Sequence, residues 1–129
     1  ELARETQVNG RPLAEDPVIR NRIAELYVSN EAGRSIAYNV GWMQSQGLVP
    51  NREASVSKMM GSEISQKIRE LGMRIAGLYG TLDKGSKWAY FDGRLGLEWM
   101  DSISLTIRGG TSEIQRNIIA TRDLGLPRG

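Results

Sequence analysis

The strongest regularity in the chain is an apolar stripe that begins at Val56. Val56, Met59, Met60, Ile64, Ile68, Leu71, Ile75 and Leu78 follow one another at spacings of 3, 1, 4, 4, 3, 4 and 3. Such spacing keeps all eight on one face of an α-helix, and it predicts a helix from near Asn51 to Leu78. An earlier long helix starts at Asp16-Pro17, an N-cap acceptor followed by proline at the first helical position. Ile19, Ile23, Leu26 and Tyr27 recur there at helical spacing, and Ala37, Val40 and Met43 continue the stripe. Gly47 and Pro50 are expected to stop it at about Gln46. Each large side chain buried contributes roughly 1.5–3 kcal/mol before entropy, so the two helices, packed antiparallel, are expected to form the framework.

Shorter elements surround this pair. The opening Glu1-Leu2-Ala3-Arg4-Glu5 reads as the end of a helix, and Asn9-Gly10-Arg11-Pro12 as a turn. Residues 80–94 form the longest non-helical connection. A third helix is expected from about Leu95 to Ile107. Gly109-Gly110 break it, and a last helix runs from Thr111 to about Leu124, ended by Gly125 and Pro127. No segment carries a strand signal. The expected fold class is all-α, an up-and-down helical bundle forming one domain over residues 1–129.

Composition narrows the chemistry. Apolar residues make up 40% and charged residues 25%, a globular balance. With no Cys there is no disulfide and no thiolate metal site, and with no His there is no histidine-based triad, shuttle or metal ligand; no metal site is expected. The net charge of +2 comes from interspersed charges without a basic cluster, so nucleic acid is not an expected partner. The densest excess is C-terminal, where Arg108, Arg116, Arg122 and Arg128 face Glu113 and Asp123, and it suits an anionic cofactor. No apolar run approaches a membrane span of about 20 residues. A soluble protein of the bacterial cytoplasm or the mitochondrial matrix is expected. The opening lacks Met, so upstream sequence in a longer protein is expected as well.

The chemistry concentrates in residues 107–127. Gly109-Gly110 allow positive φ and close backbone approach. Thr111 is placed as the N-cap of the last helix, with Glu113 in its first turn. Ile114 and Ile118 face one way, Gln115 and Arg116 another. On physics alone, a helix start preceded by glycines suits a phosphate, a reduced flavin or an ordinary turn between helices.

Gly110-Thr111-Ser112-Glu113-Ile114-Gln115-Arg116, leading into Ile118-Ile119-Ala120 and Leu124-Gly125-Leu126-Pro127, closely resembles the C-terminal signature of acyl-CoA dehydrogenases. Gly10-Arg11-Pro12-Leu13-Ala14-Glu15 is similar to the family's turn between the first two helices of its C-terminal domain. The resemblance spans nearly the whole chain, with residues 107–127 its specific part, and implies a domain that begins near the end of its first helix.

The resemblance implies FAD-dependent α,β-dehydrogenation of an acyl-CoA thioester. A Glu removes the α-proton, hydride leaves the β-carbon for the flavin, and an electron-transferring flavoprotein takes the electrons. It also implies a homo- or heterotetramer whose flavin sites lie partly between subunits. Gly110 and Thr111 match the motif and are expected to contact flavin or the thioester region, and Glu113 occupies a nearby position. Gly77 resembles the glycine through which a neighbouring subunit's FAD is contacted, and Arg74 stands where Gln is common, a cation for the pyrophosphate. The family's flavin-contacting Arg and Phe fall on Thr6 and Asn9, with Arg4 nearby. The chief departure is Gly109, which occupies the position that often holds the catalytic Glu, so no catalytic residue is assigned to this chain. Glu98 and Asp101 are expected to be solvated rather than substitutes for it. Two readings follow: a base displaced to the first helix, upstream of residue 1, or a non-catalytic subunit that shapes the FAD and acyl pocket of a partner. The remaining alternative is an unrelated helical interaction module.

Overall fold

The computed structural model describes residues 1–127. Its elements are α1 (Leu2–Glu5), β1 (Gln7–Val8), β2 (Arg11–Pro12), α2 (Pro17–Ser45), α3 (Asn51–Ala76), α4 (Arg94–Leu105) and α5 (Ser112–Ile118). The strand pair was not expected. Val8 faces Arg11 and Gln7 faces Pro12 across an Asn9-Gly10 turn, both of whose residues have positive φ. Asn-Gly is a strong short hairpin signal, but strands of two residues leave no alternation to read.

The ends of α2 follow from local chemistry. Asp16 accepts hydrogen bonds from the Val18 and Ile19 N–H groups at 2.8 and 3.0 Å, with Pro17 at the first position. At the other end Leu48 N–H donates to the Met43 carbonyl and Gly47 N–H to that of Gln44, a Schellman closure. The short turn sends α3 back antiparallel: Gly33 lies over Ile64, and Leu26 shares a cleft with Leu71.

α4 runs antiparallel along another side of α3. A Cβ on Gly72 would stand 3.2 Å from Leu95 Cδ1, so glycine there sets how closely the two helices approach. Ser62 and Ser102 are buried, yet each donates its hydroxyl to a carbonyl of its own helix, which satisfies them without spacing the helices apart. Ala3, Leu71 and Ile75 make the buried cluster at one end, with Leu2, Leu13, Ile19 and Leu26 packed on it. α3 therefore touches α1, α2, α4 and α5, and is the central helix of the bundle.

Several boundaries and burials differ from expectation. α3 ends at Ala76, and residues Gly77–Thr81 form a 3-10 turn, so Leu78 leaves the stripe and is 87% exposed. Ile68, in the stripe by spacing, is 44% exposed. α4 stops at Leu105 rather than Ile107, and the last helix becomes a π turn over Ile119–Asp123. Within the 80–94 connection, Tyr90–Gly93 form a second turn, and the Tyr90 hydroxyl lies 3.3 Å from that of Thr6.

Candidate functional site

The diglycine turn between α4 and α5 is held from two sides. Lys58, half-buried on α3, donates from Nζ to the Gly110 carbonyl at 2.5 Å, and Gln115 Nε2 donates to the Gly109 carbonyl at 3.3 Å. Gln115 is buried, because the first turn of α5 lies against α3. Thr111 caps α5 as expected, its Oγ1 accepting from the Ile114 N–H at 3.2 Å.

The two glycines differ. Both have positive φ, 68° at Gly109 and 92° at Gly110. A Cβ on Gly110 would stand 2.6 Å from Gln115 Nε2, whereas one on Gly109 would meet nothing within 4 Å. Gly110 is thus favoured by its backbone conformation, and a side chain there would displace the Gln115 amide. Gly109 looks onto open space and brings no carboxylate to it.

Beside this turn lies an open groove of about 560 Å³, lined among others by Glu63, Lys67, Ile107, Thr111, Glu113 and Arg116. Its own backbone N–H, and then the Thr111 hydroxyl, hold the Glu113 carboxyl below the ordinary carboxylate range, with smaller help from Arg116 and Lys58. A carboxylate stabilised in this way is a weak base. Glu63 is paired with Arg116 at 2.6 Å. Buried Ser112 Oγ, at the start of α5, has no partner among the described residues.

The five residues singled out from the sequence fall into two groups. Gly110, Thr111 and Glu113 sit together at the turn. Arg74 lines a different cleft of about 290 Å³ between α2 and α3, with Arg22, Glu25, Lys67 and Glu70. Gly77 caps α3 one turn further on, with its N–H donating to the Met73 carbonyl. Lys67 and Glu70 line both clefts. Thr6 is half-buried against Tyr90, while Asn9 and Arg4 are exposed.

Two of the C-terminal arginines are answered by acids of other elements, and one C-terminal acid is taken up by a further cation. Arg108 bonds Asp101 at 3.1 Å and Arg116 bonds Glu63, while Arg52 reaches Asp123 at 3.1 Å; Arg128 lies outside the described residues. Glu98 and Asp101 are surface ion-pair partners, of Arg94 and Arg108, rather than merely solvated. Lys58 was not among the expected site residues. It lies 52 positions before Gly110, and no local pattern marks it. Gln115 stands inside the signature, but its burial is a tertiary fact.

The acyl-CoA dehydrogenase C-terminal domain, as a family, matches residues 1–124. This chain belongs to the acyl-CoA dehydrogenase family. It is 37% identical over 120 residues to the acyl-CoA dehydrogenase IpdE1 of Mycolicibacterium smegmatis, covering 89% of this chain and 27% of that protein. Among solved structures it is similar to the ChsE4-ChsE5 complex from Mycobacterium tuberculosis, with TM-score 0.84 and 31% identity over 98% of this chain and 33% of that one. It is also similar to the FAD complex of PigA, with TM-score 0.80 and 25% identity over 97% of this chain and 30% of that one. The chain spans under a third of the length of the relatives it matches. The all-α bundle is that of this family's C-terminal domain, and among the described residues no helix is long and apolar enough to cross a membrane.

Proposed function

We propose that this chain is the C-terminal domain of an FAD-dependent enzyme that dehydrogenates an acyl-CoA thioester between its α and β carbons. In this reading it completes the flavin site and supplies no base of its own. The observation that carries it is the Gly109-Gly110-Thr111 turn, whose glycines both hold positive φ and whose first leaves the backbone open to a ligand. The residues fit a flavin on two counts: an approachable backbone and a buried hydroxyl at Ser112 without a protein partner among the described residues. Gly110 and Thr111 would hold one cofactor through their backbone, with Glu113 beside it. The Thr111 hydroxyl already caps α5 and supports Glu113. Arg74 and Gly77, in a separate place, would serve the cofactor of a neighbouring subunit. FAD, when bound, supplies the two-electron acceptor. The chain's own part is to orient and enclose.

Proton abstraction then falls to a carboxylate elsewhere in the full-length protein, and an electron-transferring flavoprotein is the expected electron acceptor. A second reading, a non-catalytic subunit in a heteromeric enzyme, is favoured by the bare Gly109 and by likeness to a two-protein complex. The test is to purify the full-length protein alone and measure bound FAD and dye reduction with a panel of acyl-CoA thioesters. Bound FAD with turnover supports the first reading. Turnover only with a partner subunit present supports the second, and a protein that neither alone nor with partners binds FAD overturns both.

A further inference from the structure

We infer that Lys58 is a positioning residue of this flavin site, fixing the shape of the Gly109–Thr111 turn from the neighbouring helix. The inference rests on the flavin reading above and adds a residue that the signature does not contain. Two consecutive glycines impose little shape of their own, so the turn takes its form from what grips it. Two side chains do so, Lys58 Nζ on the Gly110 carbonyl and Gln115 Nε2 on the Gly109 carbonyl.

Every peptide bond described is trans, so each N–H points opposite to the carbonyl of its own peptide unit. With the Gly109 and Gly110 carbonyls drawn inward, the N–H groups of Gly110 and Thr111 are turned outward. Among the described residues neither of them donates to another protein group. They form a pair of adjacent donors, a suitable arrangement for an anionic or carbonyl oxygen. The Lys58 charge lies behind the same pair, and its field also reaches Glu113. Lys58 touches no ligand in this arrangement; it acts through the peptide it holds.

A charge-assisted hydrogen bond corresponds to roughly 10- to 100-fold in an equilibrium constant, which sets the expected effect. The full-length protein, stripped of flavin, is titrated with FAD as wild type and as Lys58→Met, Lys58→Gln and Lys58→Arg. Flavin fluorescence gives affinity, the visible absorption band reports the flavin's surroundings, and thermal melting of the FAD-free protein reports folding. Lys58→Met is expected to raise the FAD Kd at least about tenfold and to shift the visible band, with little change in melting. Lys58→Arg should recover most of the affinity and the band. If Lys58→Met does not fold, Lys58→Gln, too short to reach the carbonyl, is expected to show the same loss. A wild type that binds FAD, beside Met and Gln variants with unchanged affinity and spectrum, overturns the role of Lys58 and leaves the flavin reading standing. So does a loss that follows lowered melting and is not recovered by Arg. A wild type that binds no FAD overturns both.

Discussion

α2 and α3 are the two longest helices, joined by a short turn, and each carries an apolar stripe. Yet α3 buries Ser55, Ser62, Ile64, Leu71, Ile75 and Ala76, while α2 buries no residue at all. Ile23, Tyr27 and Trp42, on the α2 stripe or beside it, are 43%, 67% and 57% exposed. The difference lies in their neighbours. α3 has helices on several sides, so small residues as well as large ones lose their solvent. α2 has α3 on one side, and an apolar stripe half covered by one partner stays half wet. Periodicity tells which residues share a face, and only the number of layers tells how deeply that face is buried.

The largest expected effect tests this contrast directly. Leu71→Ala should cost about 2–5 kcal/mol of stability, as truncations in a packed core do. Ile23→Ala, on the open stripe of α2, should cost less than about 1 kcal/mol, because its side chain recovers only part of its transfer energy. Chemical denaturation of the 129-residue chain measures both, and equal costs would remove the distinction between the helices.

A smaller effect sharpens the picture on the crowded side, where the diglycine turn packs on α3. Gly109→Ala should cost about 1–2 kcal/mol, the strain of an L-residue at positive φ. Gly110→Ala carries the same strain and drives a methyl group against Gln115, adding about 1–3 kcal/mol. Denaturation midpoints of the two variants, measured side by side, check the order; the reverse order would mean that Gln115 does not fill the turn.

The mildest effect belongs to the solvent edge of that turn. The folded state lowers the pKa of Glu113, so its ionised form stabilises the fold above the unfolded-state pKa. That stability is lost as pH falls through the folded value. Glu113→Gln should therefore lower Tm slightly at neutral pH, and the gap from wild type should close in acid. Melting curves over a pH series test this, and a gap that widens in acid would contradict the sign.

The parts of the fold readable in advance were those set by neighbouring residues. Asp16 with Pro17, Gly47 beyond α2 and Thr111 before α5 each act within a few positions, and each does what its local chemistry indicates. What could not be read was tertiary. Ile68 lines shallow clefts where α2 leaves α3 partly uncovered, and Lys58 finds Gly110 only once α3 and α4 have packed. The partners of the C-terminal charges were hidden as well, because Glu63 and Asp101, which answer Arg116 and Arg108, and Arg52, which takes up Asp123, lie on other elements. The residue types of the site were visible, whereas the grip on its backbone was not.

The cluster of Ala3, Leu71 and Ile75 has a consequence for the order of folding. α2 with α3, and α3 with α4, join helices that follow one another along the chain, and such contacts form early. Docking α1 onto Leu71 joins residues distant along the chain, but once α2 lies on α3 it closes only the short segment between α1 and α2, and the entropic cost of a loop rises with the logarithm of its length. The contact of Ala3 with Leu71 and Ile75 should therefore follow the pairing of α2 with α3, at little further entropic cost.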